Sequence, residues 1–173
     1  MLALSLIEGV AFVFGDNIDT DQIYPGRYLD ISDHIEIAKH AMEGVDPNFA
    51  KKVSLSSEGK PILIAGRNFG CGSSREHAVI ALKGIGVQAV VARSFARIFY
   101  RNSLNQGLLL IEVPDLDVGK VKEGMKVRIS LKDGILEVGE ISLKFKPFEE
   151  RLLKIFLEGG VISYIKKYGS FDF

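Results

Sequence analysis

Short, continuously hydrophobic runs alternate with helical patterns through the first two thirds of the chain. Such runs are typical of strands that are buried on both faces of a sheet. They cover residues 10–14, 61–65, 89–92 and 108–111. Helical patterns ended by glycines lie between the last three runs, over about residues 74–83 and 94–101. Two βαβ crossovers follow from this order, so we predict a central, mostly parallel sheet flanked by helices.

The segment between the first two runs is more polar. Asp33 precedes a helical pattern over residues 36–42 and could cap it, and Gly44 is placed to end it. Residues 51–60 are mostly polar, and we expect no core element there. Ser94 is expected to cap the helix that follows it.

The pattern changes after Pro114. Apolar and polar residues then alternate as they do in half-buried antiparallel strands. The alternating segments are residues 127–131, 136–138 and 141–143. They predict an antiparallel β appendage on the α/β core, followed by a helix beginning near Pro147 and a short helix near residues 162–168.

Composition narrows the possible partners. The 173 residues include 22 basic and 22 acidic side chains, so no global field favours nucleic acid or anionic membranes, and we expect neither. No segment approaches the roughly 20 apolar residues of a membrane helix, and the N-terminus lacks a basic lead-in. We therefore expect one cytoplasmic domain, residues 1–173. The single cysteine, Cys71, excludes an intrachain disulfide and a self-sufficient iron–sulfur site.

The glycine-rich segment at residues 68–78 lies between a buried strand and a helix. Glycines allow a tight turn close to a ligand, and the first N–H groups of the helix could bind a carboxylate. Arg75 offers two parallel donors to a carboxylate, and Ser73 and Ser74 place hydroxyls beside it. Ser73 could remove a proton if its alkoxide were stabilised. Equally, Ser73 or Ser74 could merely cap the helix.

Two other segments contain candidate site residues. Residues 16–23 include three acids but lack the Gly and terminal Glu of an EF-hand loop, so we favour an acid-rich active-site turn over a calcium site. Residues 93–101 are basic and aromatic. At helical spacing, Phe95, Ile98 and Phe99 indicate a packing face rather than a nucleic-acid surface.

Three motifs resemble one family closely. They read GDNIDTDQIYPGRYL, GCGSSREHA and ARSFARIFYRNSLNQGL. They are similar to the small subunits of isopropylmalate and homoaconitate hydro-lyases, which are equivalent to the C-terminal swivel domain of aconitase. The resemblance implies a β/β/α swivel fold and movement of a hydroxyl between adjacent carbons of a hydroxy dicarboxylate. It also implies a partner, the large subunit, that holds the [4Fe–4S] cluster, with no cluster bound by this chain alone.

The same resemblance implies roles for individual residues. Ser73 resembles the serine that removes the substrate proton, Arg75 the arginine that binds a substrate carboxylate, and Ser74 a neighbouring contact. Asp21 resembles an acidic active-site residue. In the family, substrate choice is linked to the loop after the turn that contains Asp21, here residues 28–31, so Tyr28, Leu29 and Asp30 are further expected substrate contacts. We add Arg27, which lies next to them. By itself, Arg27 could meet a second carboxylate or simply face solvent.

Asp30 bears on the choice of substrate. Family members that take a tricarboxylic acid tend to have arginine at this position, whereas isopropylmalate enzymes have a neutral residue. Asp30 matches neither group, and its charge would repel a third carboxylate. We therefore expect a hydro-lyase small subunit acting on isopropylmalate in leucine biosynthesis.

Other functions remain open. The chain could be the small subunit of a homoaconitase or a dimethylmalate dehydratase, or a non-catalytic carboxylate-binding module on the same fold. We expect the large subunit to bury a surface around Tyr28, Phe69 and the turn that contains Ser73 and Ser74, the serine turn. Self-association of the isolated subunit is possible.

Overall fold

The computed structural model describes residues 5–170, in which seven strands form one mixed sheet. The strands are β1 (Leu6–Val13), β2 (Pro61–Ala65), β3 (Ala89–Ala92), β4 (Leu109–Glu112), β5 (Lys126–Ser130), β6 (Ile135–Val138) and β7 (Ile141–Lys144). Their order across the sheet is β4-β3-β2-β1-β5-β6-β7. Neighbours from β4 to β1 are parallel, and every later pairing is antiparallel. The parallel half confirms the predicted crossovers.

Helices connect the parallel strands, and two more helices follow β7. They are α1 (Thr20–Ile23), α2 (His34–Ala38), α3 (Phe49–Leu55), α4 (Glu76–Gly84), α5 (Arg97–Gln106), α6 (Glu150–Leu157) and α7 (Val161–Tyr168). Gly107 ends α5 in the left-handed conformation, with φ of 78°. Phe99 of α5 is buried as predicted, whereas Ile98 is exposed. Within residues 5–170, every helix is too short or too polar to cross a membrane.

The sheet separates two buried clusters. On one face, β1 and β2 pack against α4 and α5 through residues that include Phe12, Leu63, Val79 and Phe99. On the other face, β2 and β3 pack with β5, β6 and α6 through residues that include Ile64, Val91, Ile129, Leu136 and Leu153. The predicted antiparallel strands therefore extend the sheet through the β1–β5 pairing and help to bury its second face. Because both faces of the parallel half are covered, only the strand ends are open.

Two local predictions about the segment before β2 need correction. Asp33 caps α2 as predicted, but α2 ends at Ala38 and turns continue to residue 45. The helix ends early because Met42 adopts a left-handed conformation and its N–H bonds to Ile23 O of α1 at 2.7 Å. Residues 51–55 belong to α3, which packs on the core through fully buried Phe49.

The prediction that Ser94 caps α5 is also wrong. The N-cap of α5 is Ala96, and no side chain accepts a hydrogen bond there. Ser94 Oγ instead accepts from the backbone N–H of Asn68 at 2.8 Å. Ser94 therefore joins two loops rather than starting a helix.

Ser103 on α5 generates a stability prediction. It is fully buried, and its hydroxyl has no hydrogen-bond partner among residues 5–170. A buried hydroxyl without a partner costs roughly 1–3 kcal/mol. We expect Ser103→Ala to raise the free energy of unfolding by about 1 kcal/mol, as measured by urea denaturation.

Ser163→Ala provides the control, since Ser163 is an exposed serine on α7. That variant reports only the higher helix propensity of alanine. Equal gains in the two variants would show that the Ser103 hydroxyl is not the source of the effect, and so would destabilisation by Ser103→Ala.

Candidate active site

The loops after β1, β2 and β3 continue side by side beyond the ends of these strands. Thr20 N donates to Cys71 O at 2.8 Å, which joins the first two loops. Phe69 N donates to Ser94 O at 3.1 Å, which joins the second and third. Because the carboxyl ends of parallel strands meet at one edge, these bonds gather the polar groups of three loops there.

Two glycines determine how the second loop turns. Gly70 has φ of 84°, and a Cβ at this position would overlap the Phe99 ring. Gly72 has φ of 101°, and a Cβ there would lie 3.2 Å from Thr20 Oγ1. The chain can therefore pass closely over both α5 and α1. It emerges at Ser73, which is exposed like its neighbour Ser74.

The serines do not cap α4. This helix begins at Glu76, its N-cap is Arg75, and no side chain accepts a hydrogen bond at the cap. Ser73 Oγ instead lies 3.3 Å from Oγ1 of buried Thr20, and either atom can be the donor. The helix-capping interpretation is therefore wrong. The contact leaves the Ser73 hydroxyl at the surface, with its direction set by Thr20.

Arg75 lies against the acid-rich turn. Its Nη1 donates to Asp21 Oδ1 at 2.8 Å and to Tyr24 O at 3.3 Å. Gly26 N donates to the same carboxylate oxygen at 2.8 Å. The hydrogen bonds from Arg75 and Gly26 hold the pKa of Asp21 below its usual value, so this group remains a carboxylate. Asp21 therefore orients the guanidinium.

Glycine is also needed where the next loop passes this ion pair. A Cβ at Gly26 would lie 3.2 Å from Arg75 Nη2 and 3.3 Å from Asp21 Oδ1. With hydrogen in its place, the loop backbone can lie directly beside the guanidinium.

The acids of residues 16–23 serve three different contacts. Asp16 accepts a backbone N–H from the loop after β2, Asp19 caps α1, and Asp21 binds the guanidinium. In the part of the chain that the structure describes, no group of three His, Cys, Asp or Glu side chains could hold a metal ion.

Burial and then the charge of Asp19 raise the pKa of Cys71, so it remains a thiol.

The remaining predicted substrate contacts lie in residues 26–31, the Tyr28 loop, which follows α1. Leu29 and Asp30 are exposed there. Tyr28 donates its hydroxyl to Glu43 Oε1 at 2.7 Å, and Arg27 Nη2 donates to the same atom at 3.0 Å. Arg27 is thus paired with an acid of its own chain. Glu43 was missed as a candidate, because its contacts with Tyr28 and Arg27 join residues 15 and 16 positions apart.

Thr20 was also missed as a candidate, although it lies inside the Asp-Thr-Asp turn. Its hydroxyl contact with Ser73 spans 53 positions of sequence. The structure thus brings Ser73, Arg75 and Asp21 together at one edge of the sheet. Arg75 and the Tyr28 loop are linked through Tyr24, whose carbonyl accepts from Arg75 and whose hydroxyl donates to Tyr28 O.

These groups lie on an open surface rather than in a cleft. Ser73, Ser74 and Asp21 are exposed, and a cavity of about 1000 Å³ lies elsewhere, between α5, β4 and residues 144–161. Phe69 is fully buried beneath the turn, so the prediction that it faces a partner is wrong. An open surface cannot exclude water, so chemistry that needs a dry site requires a second molecule to cover it.

Comparisons with known proteins agree with this geometry. The family model for the aconitase C-terminal domain matches residues 8–116. The chain is 50% identical to the 3-isopropylmalate dehydratase small subunit 1 of Methanopyrus kandleri over 167 residues, which cover 95% of each chain. It is 45% identical to the corresponding small subunit 1 of Thermotoga maritima over 170 residues, which cover 96% of this chain and 98% of the relative.

A solved structure extends the similarity to three dimensions. The crystal structure of 3-isopropylmalate dehydratase from Methanocaldococcus jannaschii matches with a TM-score of 0.83 and 43% identity, over 95% of both chains. The family match spans the turn that carries Asp21 and the turn that carries Ser73 and Arg75. The chain therefore belongs to the aconitase C-terminal domain family and, within it, to the 3-isopropylmalate dehydratase small subunits.

Proposed function

We propose that this chain is the small subunit of a 3-isopropylmalate dehydratase. Together with a large subunit, it interconverts 2- and 3-isopropylmalate by dehydration and rehydration. The observation that carries the proposal is an exposed Ser73 hydroxyl beside an Arg75 guanidinium oriented by Asp21, with no cover from the described part of the chain. A surface of this kind is half of an active site, and the large subunit would supply the other half.

Arg75 binds one carboxylate of the substrate. Both of its hydrogen bonds to described residues use Nη1. Nη2 and Nε therefore remain to bind a carboxylate through two parallel hydrogen bonds. The Asp21 carboxylate prevents the guanidinium from rotating away. Substrate held here is positioned relative to the serine turn, because Ser73 lies two residues before Arg75 and Arg75 N donates to Ser73 O at 2.9 Å.

Ser73 takes the proton from the carbon next to the one that loses its hydroxyl. A serine needs stabilisation of its alkoxide to act as a base. The Thr20 hydroxyl can donate to Ser73 Oγ across 3.3 Å and so contributes to that stabilisation. In the reverse direction Ser73 returns the proton to the carbon.

The reaction also needs help with the departing hydroxyl. Iron of a [4Fe–4S] cluster would act there as a Lewis acid. The residues present here do not fit the cluster itself, since the sequence holds one cysteine and a cluster takes about three or four thiolates. We therefore place the cluster on the large subunit.

Particular side chains argue against two other functions. A non-catalytic carboxylate-binding module would not need Ser73 free of a capping role, as it is here. A homoaconitase would have to admit a third carboxylate near Asp30, which is exposed. The charge of Asp30 repels a third carboxylate and so disfavours that substrate relative to isopropylmalate, whose branch is uncharged.

Replacing Ser73 tests its role as the base. We expect Ser73→Ala, assayed with the large subunit, to reduce kcat at least about 100-fold, because positioned acid–base catalysis contributes roughly 10²–10⁴-fold. Ser142→Ala, an exposed serine on β7, makes the same chemical change elsewhere and should leave kcat unchanged. Near wild-type turnover by Ser73→Ala would remove Ser73 from the mechanism.

Replacing Asp21 tests whether the ion pair orients Arg75. Asp21→Asn keeps the side-chain shape but removes the negative charge, so the ion pair with Arg75 becomes a weaker hydrogen bond from the guanidinium to a neutral acceptor. We expect KM for isopropylmalate to rise about tenfold. Asp16→Asn, in the same turn but bonded to the backbone of Arg67, is the matched control. An equal rise in KM for both variants would contradict the orienting role.

Replacing Asp30 tests the choice of substrate. The wild-type complex should favour isopropylmalate over homoaconitate by at least about tenfold in kcat/KM, and Asp30→Arg should shift this ratio toward homoaconitate, because repulsion of the third carboxylate becomes attraction. Steady-state assays of both acids measure the ratio. Comparable turnover of homoaconitate by the wild-type complex would overturn the preference while leaving the hydro-lyase activity intact.

A further inference from the structure

Glu43 accepts contacts from three side chains and has no place in the mechanism described above. Its Oε1 accepts from the Tyr28 hydroxyl at 2.7 Å and from Arg27 Nη2 at 3.0 Å. Its Oε2 lies 2.6 Å from His40 Nδ1. The side chain is only 21% exposed. Burial acts to raise the pKa of Glu43, but the hydrogen bonds from His40, Tyr28 and Arg27 outweigh it and leave the pKa below its usual value.

The Tyr28 ring is held by the same partners. It stacks on the His40 ring, with centroids 3.7 Å apart and an interplanar angle of 16°. The Arg27 guanidinium lies 4.7 Å from the centroid of the Tyr28 ring. His40 and Arg27 are also bound to Glu43, so one carboxylate fixes the hydroxyl of Tyr28 and two of the neighbours of its ring.

The backbone on either side of Glu43 is tied to α1. Met42 N donates to Ile23 O at 2.7 Å, and Gly44 N donates to Gln22 O at 3.0 Å. A Cβ at Gly44 would lie 2.6 Å from the carbonyl oxygen of Asp21, so only glycine allows this approach. The position of Glu43 is thus set by the short helix that carries Asp21.

The loop held by Glu43 leads to the exposed residues of the site. Tyr28 O accepts from the buried Tyr24 hydroxyl at 2.6 Å and from Ile31 N at 3.1 Å. The backbone on each side of Leu29 and Asp30 is therefore restrained, while Leu29 is 40% exposed and Asp30 is also exposed. A restrained backbone presents these two side chains in one arrangement.

We propose that Glu43 is a positioning residue for substrate discrimination: it fixes the loop that presents Leu29 and Asp30 to the part of the substrate that distinguishes an apolar branch from a further carboxylate. This inference rests on the proposed function. Glu43 has no hydrogen bond to Ser73 or Arg75. Its loss therefore affects substrate binding and selectivity more than proton transfer.

A graded series of variants in the reconstituted complex tests this role. We expect Glu43→Ala to raise KM for isopropylmalate about tenfold while kcat stays within about twofold, and to reduce the preference for isopropylmalate over homoaconitate at least about threefold. Glu43→Gln keeps an oxygen that can accept from Tyr28, so it should restore KM to within about threefold of wild type. Tyr28→Phe removes one donor and should fall between them.

The matched control is Glu36→Ala on α2. Glu36 is exposed and binds Lys39 at 2.7 Å, so its loss should leave KM, kcat and the substrate ratio unchanged. Amide hydrogen exchange on the isolated subunit gives a readout independent of activity. Residues 26–31 should exchange at least about tenfold faster in Glu43→Ala, with the exchange of β1 to β4 unaltered.

The outcomes separate this inference from the proposed function. A wild-type complex inactive on isopropylmalate defeats the proposed function itself. If the wild type is active and Glu43→Ala has unchanged KM and substrate ratio, only the role of Glu43 is overturned. The same holds if Glu43→Ala loses kcat while its KM is unchanged. If Glu43→Ala does not fold, Tyr28→Phe decides the question, because it removes a donor to Glu43 and leaves the carboxylate in place; wild-type KM and substrate ratio in Tyr28→Phe reject the inference.

Discussion

The ion pair between Asp21 and Arg75 joins the two loops from which the site is built. Asp21 belongs to the helix after β1, and Arg75 directly precedes the helix after β2. Their 2.8 Å contact fixes the guanidinium against the first loop while the serine turn remains exposed next to it. The backbone at Gly26 lies against this ion pair, and the bond from Arg75 N to Ser73 O places the serine turn relative to it.

The sheet explains why the chemistry lies where it does. Helices cover one face of the parallel strands, and β5, β6 and α6 cover the other, so polar groups can approach a substrate only past the strand ends. Hydrogen bonds between successive loops extend the pairing of β1, β2 and β3 to that edge. In the resulting surface Ser73, Ser74 and Asp21 are exposed, so under the proposed function a second subunit must cover them to exclude water.

Local sequence patterns predicted much of this structure. The bounds of β2 and β3 follow directly from their apolar runs, and the glycine turn marked the position of Ser73 and Arg75. Contacts between distant residues were not predictable in this way. Ser94 looks like a helix cap in sequence but bonds to Asn68, and the polar residues 51–55 form a helix because Phe49 anchors it in the core. The role of Glu43 was not predictable locally, because only His40 is near it in sequence, whereas Tyr28 and Arg27 are 15 and 16 positions away.

Glu43 holds the Tyr28 loop in place, and this local restraint affects how such enzymes can diversify. The loop, its anchor Glu43 and the proposed carboxylate-binding residue Arg75 all lie between residues 21 and 75 of a chain with a single cysteine. Under the proposed function, a duplicated gene for this chain alone can therefore drift toward a new acid while its product still docks on the same large subunit. Division of the enzyme into two chains then makes selectivity exchangeable without rebuilding what the large subunit supplies.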